Sequence, residues 1–461
     1  MIIRRLSRTE FATALRHGRG LAAMHVMACG LDGIDDLVLE ACLDNLAYDA
    51  QCEDGRAPWL YNMFKGSAQY SHYAEAILAM LNNDIEHRSM EQFCNLAGLM
   101  ACDGDSNAAQ ALRSFVWAQD FSLFPPLGCP AIVMLDGIPA IAELARRLGR
   151  VVMQDADATI FSLDDVTEGL DCHDDALTTL KQLAVDDPAI AAYLQISLQL
   201  DADDDIDRDK SSVMRQVRER ARATYPIEKI LAAAESGTIP GFSSSVFSSY
   251  RTFGRWANQN ELEIILQRLV AATAPEVCLR LLWVFKKVAP PSLHPRIWAL
   301  VENSDERVRH AALTALSHVS DESVGNYGRG RLRAGIPASD SEVIELFINN
   351  YRDGDEKLIL SALNALQAQS LSDDELHGLG SRVLDVCKAN KFPVLAQLAE
   401  WVYLTNPCSI CRNAAVKWLI DVAVLPAEIA NECLYDTDRD TEKLARKIVM
   451  ASQQHNSISA H

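Results

Sequence analysis

Along most of the chain, apolar residues recur every three or four positions, the spacing of a helix with one buried face. The stretch DERVRHAALTALSHV (Asp305 to Val319) shows it best. Val308, Ala311, Ala312, Ala315, Leu316 and Val319 fall at i, i+3, i+4, i+7, i+8 and i+11. They predict a helix whose small central alanines admit a close neighbour. Asn303, Ser304 and Asp305 precede it, and such side chains accept from the free N–H groups that open a helix. Four more stripes lie in the N-terminal part: Ile34, Leu37, Val38, Ala41, Cys42 and Leu46; Tyr70, Tyr73, Ala74, Ile77, Leu78 and Leu81; Met90, Phe93, Cys94, Ala97 and Ala101; Ala108, Ala109, Leu112, Phe115 and Val116. The last two flank a CDGDS turn and read as an αα-hairpin. Ser7 and Glu10 stand at capping-box spacing, so a first helix is expected directly after them. Strand-like alternation is scarce, and the predicted class is all-α.

The register of residues 305–319 recurs. A shift of 50 gives DEKLILSALNAL (Asp355 to Leu366), with six identities in twelve positions; a shift of 103 gives CRNAAVKWL (Cys411 to Leu419); a shift back of 31 gives VCLRLLWVFKKV (Val277 to Val288). Asp305, Val308, Arg309, Ala311 and Ala312 resemble the opening of the second helix in HEAT-type repeats, and the resemblance covers residues 255–455. It implies an α-solenoid of stacked antiparallel helix pairs, with the second helices lining a concave groove. On that arrangement His310, Thr314 and Ser317 look away from the core and into the groove. The alignment carries the Thr314 slot to Trp283, Asn364 and Lys417, and the Ser317 slot to Lys286 and Gln367. These eight residues are the expected partner-binding surface, with Trp283 either packed under the Ser-rich stretch or a neighbouring helix or serving as the anchor for a partner. The expected organisation is a helical N-terminal region (1–150), an acidic helical segment followed by a basic amphipathic helix with Arg215, Arg218, Arg220 and Arg222 (151–240), and the repeats (255–455). GFSSSVFSSYRTFG (Gly241 to Gly254) reads as the boundary before the repeats, since it shows no helical stripe.

Composition adds charge to this picture. The chain has 461 residues, 49% of them hydrophobic, and a net charge of −20. Residues 151–210 hold sixteen Asp or Glu against three Lys or Arg, a net of −13. Such a surface repels nucleic acid and anionic membranes and attracts a protein partner with a basic face. No apolar run reaches the length of a secretory signal or a membrane span. The twelve cysteines are scattered and read as reduced thiols, so a cytoplasmic protein is expected.

Four polar clusters carry candidate chemistry. YDAQCEDGRAPW (Tyr48 to Trp59) gathers Asp49, Cys52, Glu53 and Arg56, either as a binding loop or as a turn whose acids cap the next helix. LDADDDIDRDK (Leu200 to Lys210) alternates aspartates as a calcium loop does, but Ile206 and Ser212 stand where such a loop needs glycine and glutamate. Cys408 and Cys411 form one CxxC; no second pair stands at metal-site spacing, and Cys411 falls in the buried slot of Val308, so no metal is expected. YGRGRLRAGIP (Tyr327 to Pro337) reads as a flexible basic loop with Arg329, Arg331 and Arg333. No nucleotide-binding, protease or hydrolase motif occurs, so neither a cofactor nor catalytic residues are expected.

The expected function is a protein–protein interaction scaffold built on HEAT-like repeats. An inhibitor or immunity-type protein occluding a basic partner such as a nuclease toxin is the narrower alternative. A helical-repeat enzyme resembling HEAT-like DNA glycosylases or bilin lyases is the third. The glycosylase needs a basic groove that this charge opposes, and the lyase has no residue to rest on.

Overall fold

The computed structural model describes residues 5–50, 53, 55–81, 89–122, 126–155, 158–167, 170, 172–205, 224–237 and 246–459. Every regular element among them is helical. Two compact units form, residues 1–209 with 427–461, and residues 210–426. The last 35 residues therefore group with the N-terminal part rather than with the run that precedes them.

The first unit holds the predicted helices Arg8–Arg16, Asp35–Leu43, Tyr70–Leu81, Met90–Cys102 and Ser106–Ala118, and with them Gly20–Cys29 and Arg56–Phe64. The Ser7–Glu10 capping box forms with both of its hydrogen bonds. The stripes bury as their spacing requires: Val38, Ala41 and Cys42, then Tyr73 and Ile77, then Phe93, Cys94 and Ala97, then Ala108, Leu112 and Val116. Phe64 stacks on Tyr73 with ring centres 4.6 Å apart, which ties Arg56–Phe64 to Tyr70–Leu81. The acidic segment contributes the helices His173–Leu183 and Pro188–Asp205, and Asp164, Asp165, Asp174, Asp175 and Asp186 are exposed. The unit closes with Ala427–Cys433 and Arg439–Ser459.

In the second unit, helices start where the repeated register places them. Asp305 caps Glu306–Ser317 by accepting from the Arg307 amide at 3.0 Å. The shifts of 103 and −31 lead from Asp305 to Cys408 and Ala274, which are the N-caps of Ser409–Asp421 and Pro275–Val284. The shift of 50 lands one residue past the N-cap Gly354.

Three expectations are corrected here. The Ser-rich stretch is not stripe-free: Val246–Trp256 is a helix, because Tyr250 and Phe253 supply a buried edge between the serines. Arg329, Arg331 and Arg333 are not in a loop. They belong to the helix Glu322–Ala334, whose stripe is Val324, Gly328 and Leu332; Arg329 is buried against Asp355 at 2.7 Å, Arg331 pairs with Asp340 at 2.6 Å, and only Arg333 is exposed. Thr314 and Ser317 do not face an open groove but are 5% and 1% exposed. The segment Ala338–Phe347 packs over that helix, and Asp340 on it takes Arg309 at 3.0 Å. The basic amphipathic stretch with Arg215, Arg218, Arg220 and Arg222 lies outside the described residues, as do Cys52, Asp207 and Asp209.

Candidate functional site

Within the first unit, the helices Gly20–Cys29 and Arg56–Phe64 and residues 434–446 enclose a cleft of about 730 Å³. Its walls exist because distant parts of the chain meet. Gly20 lies so close to the last turn of the helix Ala427–Cys433 that a side-chain carbon there would sit 1.9 Å from the Glu432 carbonyl oxygen; only glycine permits that approach. Arg19 then grips both carboxylate oxygens of Glu432, at 2.8 and 2.9 Å. The Trp59 indole N–H donates to the Tyr435 carbonyl at 2.8 Å, and the Thr437 amide donates to Gly18 at 3.0 Å.

Part of the predicted polar cluster stands behind this wall. Arg56 is 3% exposed; it pairs with Glu53 at 2.6 Å and donates to the carbonyls of Leu15 and Arg16 at 2.6 and 2.9 Å. Glu53 also accepts from the Thr437 hydroxyl. Both charges are thus spent inside the protein, as a staple between the chain's two ends. Asp49 is exposed.

The cleft itself is apolar where a ligand would sit. Val26, Met27, Leu31, Pro58, Met63 and Leu434 line it together with the face of Trp59, whose polar atom is already bonded. Met27 is 65% exposed. Arg439, Glu442 and Arg446 form a polar edge, with Arg446 and Glu442 paired at 2.5 Å. The lining holds no Cys, His or Lys. Sequence reading missed the cleft because its walls come from residues about 400 apart in sequence.

In the second unit the eight expected partner-binding residues do not share one face. Trp283 is half-buried, with Phe247 packed on it at 4.9 Å and the Lys286 ammonium over its ring at 5.4 Å. His310 is half-buried, its Nε2 3.7 to 3.9 Å from carboxylate oxygens of Glu306, Asp340 and Glu342. Asn364, Gln367 and Lys417 are exposed, and Gln367 accepts from the Trp401 indole at 3.2 Å.

The CxxC pair acquires a third member that its spacing did not reveal. Cys408 caps the helix Ser409–Asp421, Cys411 lies in its first turn, and His377 reaches them from the helix Asp373–Ala389. One ligand atom from each lies within 4.8 Å of the other two, with the Cys411 sulfur 3.7 Å from His377 Nδ1. The Cys411 thiol donates to Cys408, and helix-start amides point at the same sulfur, which holds the Cys408 thiol well below the ordinary range; that same hydrogen bond, with burial, raises Cys411.

No family model, curated protein or solved structure matches this chain. Among the described residues, no helix is long and apolar enough to cross a membrane.

Proposed function

We propose that this protein is a helical binding scaffold for a protein partner, and that the cleft of its first unit takes an apolar segment of that partner. The observation that carries the reading is the concentration of Met27, Met63 and the Trp59 face in one open cleft. Methionines adapt their shape to varied apolar side chains, and an indole face is the commonest anchor of protein interfaces. A volume of about 730 Å³ holds one or two large side chains of a helix or loop. The exposed acids of residues 158–187 belong to the same unit and would steer a basic partner toward it, speeding association at low salt. The HEAT-like repeats of the second unit then serve as the extended frame of the scaffold.

The test replaces Met27 with Glu, a change at an exposed position that places a charge in the apolar cleft. Co-precipitation of wild type and Met27→Glu from the native cells, quantified by mass spectrometry, should show a basic partner retained by the first and lost by the second. The expected loss is about 2 kcal/mol or more of affinity, and raised salt should slow association with the wild type. A set of bound proteins that is the same for both chains would remove the cleft from the reading.

A further inference from the structure

Cys408, Cys411 and His377 meet in the second unit and share no residue with the lining of the first unit's cleft. Three features show a built arrangement. The first is convergence from two helices: the two thiols sit at the start of Ser409–Asp421, and the imidazole comes from Asp373–Ala389. The second is a lock between those helices. Asn406 accepts from the Cys408 amide at 3.0 Å and donates from Nδ2 to the Leu376 carbonyl at 3.0 Å, next to His377 in sequence. Gly380 makes room for it, since a side-chain carbon there would lie 2.0 Å from Asn406 Nδ2. The third is a clamp on the turn: Arg412, 1% exposed, donates to the Pro407 carbonyl at 3.0 Å. The turn that carries the thiols is therefore fixed toward the imidazole from two sides.

The distances suit one kind of ligand. Zinc binds thiolate at about 2.3 Å and imidazole at about 2.0–2.1 Å, so tetrahedral ligand atoms stand roughly 3.5–3.8 Å apart. The 3.7 Å between Cys411 sulfur and His377 Nδ1 already has that value, and all three atoms fall within 4.8 Å. We infer that His377, Cys408 and Cys411 form a zinc site with two thiolates, one imidazole and an open fourth position. Thiolate and imidazole donors select zinc over calcium or magnesium, whose ligands are oxygens. Two thiolates and a neutral imidazole around Zn²⁺ give zero net charge, which a buried site tolerates; Cys408 and Cys411 are 6% and 9% exposed. The half-buried His377 leaves the fourth position to water or to a donor from a partner.

Zinc titration of the reduced full-length chain against a chromophoric chelator tests this, with Co²⁺ as the spectroscopic substitute. The expected result is one equivalent bound, and thiolate-to-cobalt charge-transfer absorbance. Cys408→Ser and Cys411→Ser should abolish that absorbance. His377→Ala, at a half-buried position, should keep the helical circular dichroism and weaken zinc binding by about 10-fold or more, the least that even an outer-shell partner costs. Cys387→Ser, a buried thiol elsewhere in the unit, should bind as wild type does. A reduced chain that takes up no zinc, or variants of the three ligands that bind it as tightly as wild type, would overturn the site. So would a Cys408–Cys411 disulfide that forms reversibly in a chain with no zinc affinity, since that outcome assigns the pair to thiol exchange.

Discussion

The two units solve the problem of buried charge at opposite ranges of sequence. In the first, Arg19 meets Glu432 across 413 residues, Trp59 meets Tyr435 across 376, and Glu53 meets Thr437 across 384. In the second, Arg309 meets Asp340 across 31, Arg329 meets Asp355 across 26, and Arg382 meets Glu342 across 40. The second unit can bury each pair as the next helix arrives. The first has short-range pairs as well, such as Arg146 with Asp187 across 41, but it must bring its distant segments together before these three contacts can form, and that closure costs chain entropy up front. The cleft lies at the closure. Its walls need groups that fix the chain's late segment to its early helices, and the buried staple supplies them.

The sharpest way to break this comparison is to remove one buried charge from each unit. Arg56→Ala leaves Glu53 buried without its cation, and Arg329→Ala does the same to Asp355; each should cost about 3–5 kcal/mol. Hydrogen exchange read by mass spectrometry should place the loss from Arg56→Ala across both ends of the first unit, including Ala427–Cys433. The loss from Arg329→Ala should stay within the second. If Arg56→Ala leaves the 427–446 segment as protected as in wild type, the staple does not hold the closure.

Gly20→Ala probes the same closure through shape alone. The added carbon would lie 1.9 Å from the Glu432 oxygen, so backbone must shift, at a cost of about 1–3 kcal/mol for an overpacked site. Faster exchange around residues 430–437 with an undisturbed second unit is the expected pattern. A variant as stable as wild type would mean that the two segments are not in register at this point.

Much of the fold was legible in the sequence because helical stripes are local. Val308, Ala312, Ala315 and Leu316 bury as their spacing says, and the register shifts locate the starts of Pro275–Val284 and Ser409–Asp421. What failed was the choice of the open face. Thr314 and Ser317 are polar and lie opposite the stripe, yet Ala338–Phe347 covers them; a short 3₁₀ segment has no periodicity to announce it. Arg329 was misread because glycines on either side suggested a loop, whereas Gly328 takes a place in the buried stripe. The zinc-site histidine was invisible for another reason. His377 stands 31 residues before Cys408 on an amphipathic helix, and only tertiary contacts such as Asn406 with Leu376 and Cys411 with His377 bring the two together.

A gentler probe of the closure is Trp59→Phe, which keeps the apolar ring but deletes the 2.8 Å bond to the Tyr435 carbonyl. Such a bond contributes about 1 kcal/mol net. Denaturant unfolding of the first unit should show a shift of that size, and partner binding should survive because the cleft keeps an aromatic face. A loss of binding without a loss of stability would make the indole N–H a recognition group instead.

The smallest expected effect concerns acid. His25 in the first unit and His318 in the second are both held below the ordinary histidine range, in each case chiefly by burial, with Arg5 adding to it for His25 and Lys287 and Lys286 for His318. Each unfolded chain therefore binds a proton at a pH where the folded one does not. The stabilising contribution is present above the unfolded value of about 6.5 and fades as pH falls below it. The two sites differ in what protonation breaks. His25 Nδ1 accepts from the Leu6 amide at 3.0 Å, and a proton on that nitrogen removes the acceptor. His318 Nε2 donates to the Lys286 carbonyl at 3.0 Å, a bond that an imidazolium still makes, which is why the carbonyl opposes the downward shift. The first unit should accordingly lose more stability than the second as pH falls from 7 to 5. Hydrogen exchange at the two pH values, corrected for the intrinsic rate, measures this unit by unit. His25→Gln should remove the first unit's extra sensitivity, because glutamine can accept from the Leu6 amide at either pH. Equal loss in both units, or an unchanged profile in His25→Gln, would show that the Leu6 bond does not set the difference.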